Sequence, residues 1–536
     1  MRIAVAGGGP GGLFFATLMR RADPSVSVTV FERNRADDTF GFGVVFSDRT
    51  LDAINAADPV LRDALALHGR HWDDIEVRLK GERIRCGGNG MAAISRKTLL
   101  GLLQDRAREA GAELRFSSEV TLADLDGYDL VVAADGTGSR IREELVSGGA
   151  DLGVTVETAA AKFIWFGTDY LFDGLTFVHE RGPDGNFAVH GYPISDEVST
   201  FIVETDEASW RRAGLDEFDA TQPPGASDLV SKKYLEQLFA GQIGGHQLLV
   251  NNSRWGNFRT RRTRRWHVLD PRPAVFLGDA VHTAHFSVGS GTKMAMEDAT
   301  ALADALAARP GQLAAALPAY EAAAQPSVRK IQDSARPSLA WWEHFGQYYE
   351  RFEPWQFGYH FLTRSISDGR LARRAPAFVG ASHESWTAAH GAEPARTPFA
   401  SRGWTSPGRV VTVAASADGQ PVRVDGGDTP LPLVAGPAAD GPWGAAVTAP
   451  ADEPGLPEVY ARLAGLAAAA DPPALVAVHG GTRLTRSLVC ERARMRNGIP
   501  ALAVTPPDTA RDEAAFADLA VTTLLSGRAD LVGRLT

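Results

Sequence analysis

The first twelve residues, MRIAVAGGGPGG, constrain the fold more than any other stretch of the sequence. A short apolar run, Ile3 to Ala6, breaks into glycines, and a helical pattern, LFFATLMRRA, follows at once. That order predicts strand, tight turn and helix, with Gly7, Gly9 and Gly12 at G-x-G-x-x-G spacing and Pro10 and Gly11 inside the turn. One glycine makes the turn, one lets the backbone approach a pyrophosphate, and one lets the helix pack closely on the strand. The helix N-terminus then offers its unpaired N–H groups to the anion. Glu32, followed by Arg33, ends a second predicted strand (Ser27 to Phe31), where a carboxylate would hold a ribose hydroxyl. The pattern is that of a dinucleotide site.

A chain of 536 residues exceeds one core, and its length predicts three or four domains. The formal net charge of −10 argues against a nucleic-acid partner. With a strand starting at residue 2 no leader peptide is expected, and no apolar run reaches the length of a membrane span. Cys86 and Cys490 lie far apart without metal-ligand spacing, so the expectation is reduced thiols in a cytoplasmic protein, and no metal site.

Phe40 to Ser47 is a glycine-punctuated apolar stretch ahead of a helix expected near Arg49. Arg96 precedes a leucine-striped helix, and the strand Leu130 to Ala134 runs into Asp135-Gly136. From Lys162 to Glu204 short aromatic and β-branched runs, separated by Gly, Asp and Pro turns, predict an antiparallel sheet between two halves of the nucleotide domain. Strand, loop and long helix return at AVFLGDAVHTAHFSVGSGTKMAMEDATALADALAA, with a helical segment to about Ser338. An aromatic-rich stretch and a Pro/Ala-rich linker near residue 395 complete this region.

The G-x-G-x-x-G turn with Glu32, then Asp135-Gly136, then Gly278-Asp279, in that order, resemble the single-component FAD-dependent aromatic hydroxylases of the para-hydroxybenzoate hydroxylase fold. Longer strings, among them GFGVVFSDRTLDAINAADP and GDAVHTAHFSVGSGTKMAMEDA, resemble the salicylyl-CoA 5-hydroxylase and 2-aminobenzoyl-CoA monooxygenase group. Phe286 in place of the generic proline and Lys293 in place of asparagine are oddities shared with that group. After Thr397 the chain resembles a shortened old-yellow-enzyme-like barrel. About 140 residues remain there, where a (β/α)₈ barrel takes about 250. The loop after Ala503, TPPDT, lacks the glycine expected near an FMN phosphate.

The resemblance implies an α/β fold: a Rossmann-type FAD-binding domain (1–155 and 269–335) with an inserted, mostly antiparallel substrate domain (156–268). A helical segment and linker (336–395) and a small C-terminal domain without flavin (396–536) would follow. It implies FAD, with NADH or NADPH as reductant and O₂ as co-substrate, and hydroxylation of an aryl-CoA thioester through a flavin C4a-hydroperoxide. Salicylyl-CoA to gentisyl-CoA leads; 2-aminobenzoyl-CoA, a carrier-bound aromatic, and a non-catalytic flavoprotein acting as an interaction module stay open, as does a homodimer. Arg96 would reach the FAD pyrophosphate and Asp279 the ribityl chain. Gly289, Ser290, Gly291 and Thr292 would present backbone N–H groups to the reduced flavin.

Sheet alternation places Phe163 with Trp165, Phe177 with His179, and His190 with Tyr192. His285 is the first candidate to accept a proton from, or hydrogen-bond, the substrate hydroxyl, ahead of His190 and Tyr192. Arg259, Arg261, Arg262, Arg264 and Arg265, five arginines in seven residues, form either a solvated edge or a contact for the phosphates of coenzyme A. Lys162 and Arg181 are weaker candidates for the same contact.

Overall fold

The apolar run after Met1 forms the strand Arg2–Ala6 in the computed structural model, which describes residues 1–39, 41–47, 56–218, 225–437, 441–506 and 512–536. Phe40, the helix start expected near Arg49, and the TPPDT loop from Pro507 onward lie outside these residues. The chain divides into two units, Met1–Arg83 with Gly88–Gly346, and Ile84–Gly87 with Gln347–Thr536.

In the first unit Arg2–Ala6 lies between Ser27–Phe31 and Leu130–Ala133, all parallel, and Ala274–Phe276 adds beside Leu130–Ala133. These strands are apolar almost throughout because helices cover a parallel sheet on both faces. Leu13 and Phe15 of the helix Pro10–Ala22, Leu103 of Arg96–Glu109 and Leu302 of Gly291–Ala307 are fully buried in the same core.

The second sheet of this unit is built from Val154–Thr168, Ser199–Thr205, Gly185–Pro193 and Leu175–Gly182, each antiparallel to the next. Gly256–Thr263 pairs antiparallel along the outer side of Val154–Thr168. The sheet's parallel neighbour comes from outside the expected segment: Ile75–Leu79 pairs parallel with Leu175–Gly182. Five residues with a mixed pattern, IEVRL, give no local sign of a partner a hundred positions away. One face of the sheet buries Ile164, Phe166, Val189, Phe201 and Val203 against Leu235 and Phe239. The alternate residues face the other way, toward the cavity described below.

The helix Leu313–Arg351 runs 39 residues, well past the end expected near Ser338, with Pro318, Pro326 and Pro337 inside it. Trp341, Trp342, Phe345, Tyr348 and Tyr349 are all buried. They fall on one helical stripe, and burying each contributes roughly 1.5–3 kcal/mol, which offsets the proline penalties. Among the described residues no helix is long and apolar enough to cross a membrane.

In the second unit the helices Pro354–Leu362 and Pro376–His390 occupy much of the region expected to hold a linker. Five parallel strands follow in spatial order Gly444–Thr448, Leu475–His479, Ala501–Thr505, Leu531–Leu535 and Val410–Ala415. The antiparallel strands Pro421–Asp425 and Leu431–Pro432 continue the row, and a bridge between Leu433 and Gly444 joins its end to its beginning. The sheet buries Val413, Val424, Leu475, Leu502 and Leu531 in one core. Outside it, the carboxylate of Glu491 accepts from Tyr348 Oη at 2.5 Å and lies 3.2 Å from His360 Nε2 and 3.8 Å from Arg528 Nε.

Candidate active site

The first glycines build one wall of a cavity of about 950 Å³ in the first unit. Gly7 has φ +109°, and a Cβ there would meet the Ala134 carbonyl oxygen at 2.3 Å. A Cβ on Gly12 would meet the Gly7 carbonyl oxygen at 2.2 Å. Gly9 differs: it lines the cavity, and a Cβ would find nothing within 4 Å. Pro10, Gly11 and Gly12 line the same wall at the N-terminus of the helix. Glu32 Oε2 accepts from the Gly8 N–H at 2.8 Å, and Oε1 from Asn34 N and Nδ2 at 2.8 and 2.7 Å, so the carboxylate is fixed at the end of its strand. Arg33 is exposed and not part of the cavity wall.

The opposite wall comes from Gly278 and Asp279 and from the turn Gly289, Ser290, Gly291 and Thr292, which opens the helix Gly291–Ala307. Gly278 is held from behind: its N–H donates to Asp298 Oδ2 at 2.8 Å, and the same oxygen lies 2.6 Å from His282 Nε2. Two arginines grip the turn by its carbonyls, Arg142 at Ala280 O (2.6 Å) and Arg261 at Asp279 O (3.1 Å). Asp279 opens onto the cavity yet is enclosed by protein, which pushes its carboxyl up, opposed by His282, Arg96 and Arg261. Burial likewise pushes Asp135 up, against hydrogen bonds from Ser139 and the Ile141 N–H.

These residues fit FAD. Two helix N-termini and an open Gly9 suit a pyrophosphate. Arg96 lines the cavity, and its Nε is buried without a hydrogen-bond partner among the described residues, as expected of a group that a polar cofactor would satisfy, whereas Asp135 is not on the cavity wall.

At the other end the cavity is aromatic. Phe163, Trp165, Phe177, His190, Tyr192 and Ile202 line it from the sheet, and Phe286 from the flavin-side loop. His179 lies on the same sheet face, packed on Trp342 at 5.8 Å between ring centroids and out of the cavity wall. The Tyr192 phenol is pushed up to about 12 by burial, against a hydrogen bond with Thr200 and the Arg96 charge. It therefore stays protonated at neutral pH.

The histidines take a different order from the one expected. His190 is on the cavity wall; His285 is buried one layer behind it, beside Phe286 and Phe258. His285 caps the short turn Phe286–Val288, with Nδ1 2.7 Å from Ser287 Oγ. Between the two lies Glu204, absent from the candidates above. Its Oε1 is 3.0 Å from His190 Nε2 and 3.8 Å from His285 Nε2. The sequence signal was a single carboxylate in the apolar alternation STFIVET.

The five arginines do not converge. Arg259 is exposed and lines the cavity, whereas Arg261 is buried on the Asp279 carbonyl. Arg262 pairs with Asp333 at 3.0 Å and Arg264 with Asp151 at 2.5 Å, and Arg265 is exposed away from the cavity wall. Strand alternation separates neighbours in sequence, so one phosphate site cannot use them all. Lys162 donates to Asn257 Oδ1 at 2.8 Å, and neither it nor Arg181 lines the cavity.

A family model described as FAD binding domain matches residues 1–335. A salicyloyl-CoA 5-hydroxylase from a Streptomyces species is 56% identical over 99% of this chain and 99% of its own. A 3-hydroxy-4-methyl-anthranilyl-[aryl-carrier protein] 5-monooxygenase of Streptosporangium sibiricum is 38% identical, over 64% of this chain and 89% of its own. Among solved structures, 2-methyl-3-hydroxypyridine-5-carboxylic acid oxygenase shares the fold, with a TM-score of 0.51 at 18% identity over 68% of this chain and 98% of that one. With the FAD cradle and the aromatic chamber in one cavity, and with these relatives, the chain belongs to the FAD-binding family of aromatic monooxygenases.

Proposed function

We propose that this monooxygenase hydroxylates the ring of an aryl-CoA thioester, converting salicylyl-CoA to gentisyl-CoA with NADH or NADPH as reductant. The observation that carries the reading is the 56% identity, over 99% of both chains, to a protein named for that reaction. The cavity suits it: an aromatic chamber for the ring adjoins a wall bearing Arg259, a guanidinium fork for a phosphate of the coenzyme tail. In this reading residues 1–155 and 269–335 hold FAD, 156–268 hold the substrate, and 396–536 are a docking or dimerising piece without flavin.

Bound FAD, once reduced, supplies an electrophilic oxygen atom from O₂; the protein orients the ring and excludes water. Phe163, Trp165, Phe177 and Phe286 enclose the ring, and Tyr192 donates a hydrogen bond at its edge. The hydroxyl already on a salicyl ring activates the carbon para to it.

The test is NADH consumption by the FAD-loaded enzyme with salicylyl-CoA, 2-aminobenzoyl-CoA and free salicylate, with product mass. Strong stimulation by salicylyl-CoA with gain of one oxygen atom is expected; stimulation by the free acid alone would overturn the thioester reading. Stimulation by neither, with FAD bound, would favour the interaction module. Arg259→Ala should raise KM for the CoA thioester about tenfold, the loss of one charge-assisted contact worth roughly 1.4 kcal/mol. It should leave kcat within about twofold and spare a short thioester lacking the phosphates, which a comparison of the two substrates checks.

A further inference from the structure

We propose that Glu204 is a positioning residue for proton removal from the substrate's ring hydroxyl, acting through His190. The inference rests on the phenolic substrate argued above. It begins with a carboxylate buried in an otherwise largely apolar strand. Glu204 is 1% exposed, in a strand buried throughout its length. Leaving a carboxylate in such a place costs several kcal/mol unless partners offset it, so its retention points to a role for its charge.

The register explains the contact. Glu204 lies opposite Ala188 on one neighbouring strand and Phe163 on the other. Two residues beyond Ala188, on the same face, is His190. The small alanine leaves room for the carboxylate to lean diagonally to His190 Nε2 at 3.0 Å. His190 is the imidazole on the cavity wall, and Trp342 packs on its ring with centroids 4.2 Å apart, which fixes the ring plane. On the side away from the cavity His285 Nε2 is 3.8 Å from the same carboxylate oxygen. From His285 the line continues through Ser287 Oγ to Ser338 Oγ, with steps of 2.7 and 2.8 Å. His190, Glu204, His285, Ser287 and Ser338 thus form a row of polar groups that starts at His190 on the cavity wall and touches the wall again at Ser287.

The step balances simply. The O–H bond of the substrate hydroxyl breaks, an N–H bond forms on the His190 imidazole, and the ring is left as an electron-rich phenolate. The imidazolium so formed stands beside the Glu204 carboxylate, which stabilises it. The other titratable groups on this face are His179, which burial and the His190 charge hold well below its ordinary range, and Tyr192. Both therefore stay neutral while His190 changes charge.

The experiment titrates salicylyl-CoA bound to the oxidised, FAD-loaded enzyme without reductant, following phenolate absorbance against pH, for wild type and Glu204→Gln. The bound hydroxyl should ionise at least about one pH unit higher in the variant, a tenfold loss of proton acceptance. The acid limb of the kcat profile should move the same way, with KM changed less than about threefold. Glu204→Asp should recover part of both shifts. A Glu204→Gln enzyme that binds FAD and ligand with unchanged ionisation would overturn the proposal. Should that variant not retain FAD, His190→Asn decides: the ionisation shift must disappear, and its survival would equally overturn the proposal. Failure of salicylyl-CoA to bind wild type would instead count against the thioester reading.

Discussion

Gly12→Ala yields a protein that does not retain FAD, with an expected loss of affinity of more than about a hundredfold. The new Cβ would lie 2.2 Å from the Gly7 carbonyl oxygen and 3.2 Å from Val5 Cγ1. A carbonyl in the tight turn cannot rotate aside as a side chain would. Overpacking of this kind costs typically 1–3 kcal/mol, and here the strain falls on the loop whose N–H groups must meet the pyrophosphate. The measurement is the flavin-to-protein absorbance ratio after dialysis, with a melting curve of the apoprotein. Gly9→Ala separates cofactor loss from misfolding. Its Cβ meets no protein atom within 4 Å, so the apoprotein should melt normally while FAD binds weakly. Gly101→Ala, in the helix Arg96–Glu109 and equally open, should stabilise the fold by roughly 0.5–1 kcal/mol.

Glu491→Ala should destabilise the second unit by about 3–5 kcal/mol, the usual cost of removing one partner of a buried ionic cluster. Arg528 would lose its carboxylate while staying fixed by its bonds to the His360 carbonyl and Thr363. Tyr348, whose phenol burial and Glu491 push well above its ordinary range, would lose its acceptor. Urea unfolding of the full chain, read by the signal that reports the second unit, checks this. The cluster also sets a pH dependence. Burial and the Arg528 charge lower His360 from 6.5 to about 4. The unfolded chain therefore takes up the proton first, and stability present above pH 6.5 falls as pH drops toward 4, by roughly 3 kcal/mol. Glu491 is also lowered, by His360, Arg528 and Tyr348 against the effect of burial, so its contribution is lost in the same direction at still lower pH. His360→Gln should flatten the upper part of this slope.

The FAD cradle was legible because each part of it is local: a strand, a glycine turn and a helix start lie within a dozen residues. The aromatic face was legible from alternation alone, since Phe163, Trp165, Phe177, His190 and Tyr192 line one cavity. Glu204 escaped because its partners sit on a neighbouring strand and in a loop some eighty residues later. The arginine run divides by its partners, which sequence does not show: Arg261, Arg262 and Arg264 are held by the Asp279 carbonyl, Asp333 and Asp151, while Arg259 lines the cavity. His285, expected first, is held by its capping contact to Ser287 and is not on the cavity wall, a placement that its nearness to Gly278-Asp279 in sequence does not show. The full length of the helix past Ser338 escaped because the stripe of buried aromatics that sustains it declares itself only in three dimensions.

The bridge between Leu433 and Gly444 has a consequence for how such a chain behaves in a crowded cell. A barrel short of its usual strands would ordinarily present two raw borders, rows of unpaired N–H and C=O groups that recruit strands from other molecules. Here the antiparallel pair reaches Gly444 through that one bridge, so the start of the first border is covered from within its own chain. A strand capped in this way offers fewer free backbone groups to another chain.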